Sequence, residues 1–197
     1  MIKVKICGMR EAANINAVAE LRPDYMGFIF YEKSPRYVGE EFVIRDLGLK
    51  AVGVFVNEST EKILEKRIKI VQLHGDETPA QADELKRHGL TVIKVFSIDD
   101  DFDFAKTKDY SRADYFLFDT KGKFYGGNAR TFNWNKLKEY DQKIPFFLSG
   151  GLNADNLKAI DTLKGMNLHA IDLNSGVEDA PGLKNIEKIK SVMSCLK

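Results

Sequence analysis

Two side chains able to move protons close strand-like runs in this sequence. Cys7 ends the β-rich stretch Ile2-Lys3-Val4-Lys5-Ile6 and is followed at once by Gly8; Asp119 ends the apolar run Tyr115-Phe116-Leu117-Phe118. A free thiol with an ordinary pKa near ~8.5 becomes a usable base near neutral pH if a helix N-terminus beside it lowers that value. A carboxyl group among apolar neighbours costs free energy unless it has a partner or a task. Partial burial that raises its pKa would make it a general acid. A plainer reading stands beside each. Free cysteines are often small buried hydrophobes, and Asp119 could simply cap the loop that follows it.

A second group suits anion binding. Ser149-Gly150-Gly151 and Asn174-Ser175-Gly176 place glycines and hydroxyls where strands pass into helices. Backbone N–H groups in such turns point at a bound phosphate, although Gly-Gly pairs also serve as ordinary tight turns. Arg36, in the loop Tyr31–Tyr37, has the planar donor fork that a substrate carboxylate accepts bidentately; equally, it is a solvated surface arginine. His74, after Ile70–Leu73, raises the options of a metal ligand or a Cys–His pair. With three scattered histidines in the chain, no zinc site is expected, and nothing positively supports the pair.

These residues need elements to bring them together. Strand-length apolar runs occur at Ile2–Ile6, Tyr25–Phe30, Ala51–Val56, Ile70–His74, Thr91–Phe96, Asp114–Thr120, Pro145–Ser149 and Leu168–Leu173. Between them lie helical patterns: Glu11–Leu21, a weaker one at Glu40–Leu47, Ser59–Arg67 with serine as N-cap, and one opened by Thr78-Pro79. Further helices are expected from about Asp99 to Tyr110, Trp134 to Tyr140, after Asn153 to Leu163, and Leu183 to Cys195. A glycine-rich loop spans Lys121–Arg130. Eight βα units with no linker between them predict an α/β fold: a single (β/α)₈ TIM barrel over residues 1–197 with short loops. An open doubly wound sheet is disfavoured because no G-x-G-x-x-G follows the first strand. In a barrel the strand ends share one face, so Cys7, His74, Asp119 and both glycine turns converge. The two glycine turns then follow strands seven and eight, where barrels commonly hold phosphate.

The bulk composition excludes several classes. The formal net charge is +1 and no charged block stands out, so neither nucleic acid nor an anionic membrane is implied as partner. Cys7 and Cys195 sit at opposite ends of the chain, a pattern of neither disulfide framework nor zinc site, which fits a reducing compartment. No secretory signal pattern opens the sequence and no apolar run nears the ~18 residues of a membrane span, so a cytoplasmic protein is expected.

Six segments together resemble the phosphoribosylanthranilate isomerase family over essentially the full length. They are Lys5–Arg10, Ser34–Val38, Val71–Asp76, Phe118–Thr120, Leu148–Leu152 and Asp172–Glu178, in the family's order and spacing. The resemblance implies a cofactor-free, metal-free Amadori rearrangement in tryptophan biosynthesis. N-(5'-phosphoribosyl)anthranilate would become 1-(2-carboxyphenylamino)-1-deoxyribulose 5-phosphate. It further implies Cys7 as general base, Asp119 as general acid, and Arg36, His74 and Asp172 against the substrate. Gly150, Gly151, Asn174, Ser175 and Gly176 would hold the phosphate. Two positions depart from the family pattern. The usual Gly-Gly-Thr-Gly after strand six is Gly126-Gly127-Asn128-Ala129, which removes φ > 0 freedom at Ala129, and the usual Ser-Ser after strand eight is Asn174-Ser175. Rival barrels of indole-glycerol-phosphate-synthase or sugar-isomerase type would want a lysine or paired aspartates at strand ends. A catalytically silent phosphate-binding barrel would be expected to lack Cys7 or Asp119. A monomer is the default expectation, with a homodimer open.

Overall fold

The structure, a computed structural model, describes residues 2–120 and 132–196. The glycine-rich loop expected at Lys121–Arg130, with its Asn128-Ala129 departure, lies outside the described residues. Eight parallel strands close into a barrel in sequence order: β1 (Lys3–Ile6), β2 (Tyr25–Ile29), β3 (Lys50–Phe55), β4 (Ile70–Leu73), β5 (Thr91–Ile98), β6 (Tyr115–Thr120), β7 (Phe146–Leu148) and β8 (Leu168–Leu173). Closure is made by β1 against β8, with Lys5 opposite Asp172 and Ile6 opposite Leu173. A closed parallel barrel leaves no unpaired strand edge, and its strands are buried on both sides, which is why they read as nearly unbroken apolar runs.

The helical cover is α1 (Ala12–Glu20), α2 (Thr60–Glu65), α3 (Pro79–Arg87) and α4 (Ile186–Ser194). The last begins three residues later than expected, because Asn185 caps it by accepting from Lys188 N–H. Residues before it form a hairpin, β9 (Glu178–Ala180) with β10 (Leu183–Lys184), that the apolar patterning does not announce. The helices expected after β5, β6 and β7 are 3₁₀ turns: Phe104–Tyr110, Trp134–Glu139 and Leu157–Leu163. In the first of these, Asp103 caps the turn and the Thr107 hydroxyl bonds back to the Phe104 carbonyl. Such local side-chain bonds compete with an α-helical ladder.

The helix expected at Glu40–Leu47 is absent. Gly39 (φ +95°) and Gly48 (φ +66°) bracket the segment, and β-branched Val43 and Ile44 sit inside it. It crosses the sheet irregularly, its Phe42 ring 5.4 Å from Phe28, while Val43 stands 78% exposed.

The core has two layers. Outside the sheet, Phe96, Phe116, Phe118, Tyr140 and Phe146 pack largely edge-to-face beneath the helices. Inside the barrel, Tyr25, Val52, Ile93, Val95, Leu117, Phe147 and Ala170 fill the lower part. Above them the interior turns polar, with Lys5, Gln72, Asp119 and Asp172 all buried. A barrel core of this kind is normally branched and apolar, so charged groups at that level mark the functional end.

Candidate active site

Cys7 stands one residue past β1, yet its N–H still donates to the Leu173 carbonyl at 2.8 Å, so the sheet fixes the thiol. The chain must then turn hard. Gly8 has φ +75°, and a Cβ there would lie 2.6 Å from Arg36 Cδ and 2.7 Å from Asn174 Oδ1. Only glycine satisfies both conditions. The expected helix N-terminus is not beside the thiol, because residues 8–11 intervene before α1. Burial instead dominates and pushes the Cys7 thiol up, with Lys5 and Lys184 pulling it back and Asp172 adding to the rise.

Asp119 reaches the same mouth from β6 and is 5% exposed. Its Oδ1 accepts from the Thr120 N–H at 2.9 Å, and its Oδ2 lies 3.6 Å from His74 Nε2. Gln72 Nε2 is 2.9 Å from His74 Nδ1. His74 Nε2 faces the Asp119 carboxyl from beyond hydrogen-bond distance, and no Cys–His hydrogen bond is formed among the described residues.

The two glycine turns converge as expected. One pocket is lined by Cys7, His74, Asp119 and Asp172 together with Gly150, Gly151, Asn174 and Ser175. Gly150 (φ +103°) and Gly151 (φ +61°) need glycine, and a Cβ on Gly150 would collide with the Thr120 hydroxyl. Gly176 is not in the pocket wall; it packs against the Leu152 carbonyl and shapes the turn. The helices behind these turns are short 3₁₀ pieces, Leu157–Leu163 and Ser175–Val177. Any anion would consequently be met by loop N–H groups and side chains more than by a long helix dipole. Asn174 Oδ1 accepts from Lys184 Nζ at 2.7 Å, which turns its NH₂ outward as a donor.

Arg36 lies beside the Cys7–Gly8 turn, 9% exposed but outside the pocket wall. The bidentate contact expected with a substrate carboxylate is made by Glu178, which accepts from Arg36 Nε and Nη2. Among the described residues Arg36 Nη1 has no partner. Glu178 also accepts from Lys184 Nζ at 2.5 Å and Gly182 N–H at 3.0 Å. Burial would raise the Glu178 carboxyl, but Arg36 and Lys184 outweigh it and hold it below the usual range. Burial pushes Lys184 down to about 8 despite that partner. Asp172, 5% exposed, accepts from Lys5 Nζ at 2.9 Å.

Lys5, Gln72, Glu178 and Lys184 lie outside the pocket wall and hold Asp172, His74, Arg36 and Asn174, and sequence reasoning gave none of them a role. Two signals were present. Alternation puts Lys3, Lys5 and Cys7 on one side of β1, so a lysine shares the thiol's face. Pro181-Gly182 is a turn dipeptide, and it forms the hairpin that brings Lys184 back to Glu178.

The family model for N-(5'phosphoribosyl)anthranilate (PRA) isomerase matches residues 4–194. The chain is 46% identical to N-(5'-phosphoribosyl)anthranilate isomerase of Phocaeicola vulgatus, over 98% of this chain and 97% of that one. A crystal structure of monomers generated from the dimeric enzyme of Thermotoga maritima superposes with TM-score 0.84 at 33% identity, covering 99% of this chain and 98% of that one. A crystal structure of phosphoribosylanthranilate isomerase in complex with reduced 1-(o-carboxyphenylamino)-1-deoxyribulose 5-phosphate superposes with TM-score 0.82 at 31% identity, covering 98% and 97%. The chain thus belongs to the N-(5'-phosphoribosyl)anthranilate isomerase family.

Proposed function

We propose that this barrel isomerises N-(5'-phosphoribosyl)anthranilate in tryptophan biosynthesis, with Asp119 as the acid and Cys7 as the base. The activity follows from family membership; the assignment of roles rests on one observation. A thiol and a carboxyl from strands three apart around the barrel line a single pocket, with a glycine-rich anion cradle on its rim. An acid–base pair acting at two atoms of one sugar needs that arrangement.

Asp119 gives its proton to the furanose ring oxygen as the bond from that oxygen to C1 breaks, leaving a Schiff base between C1 and the anthranilate nitrogen. The Cys7 thiolate then takes the proton from C2. The electron pair released there neutralises the iminium and forms an enolamine, which tautomerises to the 2-ketone. Gln72 holds the His74 imidazole beside the acid. The phosphate lies against Gly150, Gly151, Asn174 and Ser175, where the Asn174 NH₂ and the glycine N–H groups are its donors. The anthranilate carboxylate takes the Nη1 end of Arg36. One chain completes the pocket, which supports a monomer as the working unit, whereas the Thermotoga maritima relative is dimeric.

The test is direct: supply phosphoribosylanthranilate and follow the loss of its fluorescence. Loss at a rate proportional to enzyme concentration supports the reading. A folded protein that leaves the signal unchanged would reduce it to a phosphate-binding barrel.

A further inference from the structure

Lys5 has no part in the chemistry above, yet it is fully enclosed close beside it. The residue is 0% exposed, in the barrel interior, and its ammonium donates to Asp172 Oδ1 at 2.9 Å. It lies one alternation below Cys7 on the same side of β1, and opposite Asp172 in the β1–β8 register. The neighbouring strand makes room for it: a Cβ on Gly27 would lie 2.7 Å from Cys7 Sγ and 3.2 Å from Lys5 Nζ. The thiol and the ammonium thus share the small space that a glycine leaves open. Cys7 and Asp172 reach the pocket surface, whereas Lys5 stays below it.

A buried ion pair in a barrel interior is a poor stability device, since apolar residues of similar volume often do as well or better. A cation placed against a thiol has a different use, because it favours the thiolate. We propose that Lys5 is a positioning residue for the base: its ammonium, anchored by Asp172, is the cation against which the Cys7 thiolate forms. The proposal rests on the reading of Cys7 as base and deepens it.

The charges around the thiol are consistent with that role. Lys5 and Asp172 face it from β1 and β8, and Lys184 from β10, while His74 and Asp119 line the pocket from β4 and β6. Burial alone would lower Lys5, but Asp172 and Cys7 together keep it raised, so it stays an ammonium throughout the neutral range. Lys5 is the largest of the influences that oppose the burial of the thiol.

The experiment reads thiol ionisation and turnover separately. Cys195 is exposed and would also react, so the background is Cys195→Ser. Iodoacetamide alkylation of Cys7 is followed against pH, alongside the pH profile of kcat/KM. Lys5→Met should raise the alkylation midpoint by about one pH unit or more, a tenfold slower reaction at neutral pH. The acid limb of kcat/KM should move with it, and Lys5→Arg should keep most of the native midpoint. Asp172→Asn leaves the ammonium without its counter-charge and should lower the midpoint, which tests the idea even if Lys5→Met does not fold. A folded Lys5→Met with an unchanged midpoint overturns the proposal, as does an Asp172→Asn midpoint that rises or stays put. A shifted midpoint with an unmoved kcat/KM profile upholds Lys5 as partner of the thiol and overturns Cys7 as base.

Discussion

Arg36 turns its Nε–Nη2 edge to Glu178, whose oxygens accept at 2.9, 3.1 and 2.6 Å, so the guanidinium is held before any substrate arrives. Glu178 is shared with Lys184, and Lys184 with Asn174. One buried carboxylate thereby sets the orientation of two side chains assigned to opposite ends of the substrate. Glu178→Gln keeps the shape and removes the charge. It should raise KM roughly tenfold, the size of one charge-assisted hydrogen bond, with a smaller change in kcat. Steady-state kinetics check this, and an unchanged KM would show that Arg36 needs no such hold.

The anion cradle makes a steric prediction. Gly150 has φ +103° and no space for a Cβ beside Thr120. Gly150→Ala should cost about 1–3 kcal/mol through backbone strain and should weaken substrate binding by displacing the turn. Inorganic phosphate, tested as a competitive inhibitor, should lose potency in parallel. Retained inhibition with native stability would place the phosphate elsewhere.

A third prediction concerns acid stability, at the end of the barrel away from the pocket. Burial, with Lys3 and Lys50 nearby, pushes His169 down to about 4, and its Nε2 is 2.8 Å from the Tyr25 hydroxyl. Its value in the unfolded chain is near ~6.5, so between those two values the unfolded state binds more protons. The contribution is full above pH ~6.5 and is lost as pH falls toward 4. Urea unfolding at pH 7 and pH 5 should show that loss, and His169→Gln should flatten it. Equal slopes for both proteins would contradict the assignment.

The turn that carries His74 rests on a second buried pair. Lys94 Nζ donates to Glu77 Oε2 at 2.8 Å and to the Gly75 carbonyl at 2.7 Å, while the Gly75 N–H donates back to Glu77. Lys94→Met would strand Glu77, which is 3% exposed, and should destabilise the fold by about 3–5 kcal/mol. Denaturant midpoints test this; a shift under about 1 kcal/mol would mean that the carboxylate finds another partner.

Much of this architecture is legible in the amino-acid sequence. Buried parallel strands announce themselves as unbroken apolar runs, and the glycines after β1, β7 and β8 mark where neighbouring atoms leave no room for a Cβ. Hence Cys7, Asp119, His74 and the anion turns could be placed on one face. What stays hidden depends on partners distant in sequence. Arg36 reads as free to clamp a substrate because Glu178 lies 142 residues away. Lys5 has no visible partner along the chain because only barrel closure sets Asp172 opposite it. The irregular Glu40–Leu47 segment carries a helical pattern, but flanking glycines and β-branched residues favour a chain that drapes over the core.

The central claim is that Cys7 and Asp119 carry the two proton transfers, and turnover of the variants Cys7→Ser and Asp119→Asn tests it most directly. Serine at position 7 is too weak an acid to supply an anionic base, and asparagine at 119 has no acidic proton to give. Each variant, checked for native circular dichroism, should remove phosphoribosylanthranilate fluorescence ~10²–10⁴-fold more slowly than the parent. A folded variant of either kind that isomerises at near-parental rate would contradict the account.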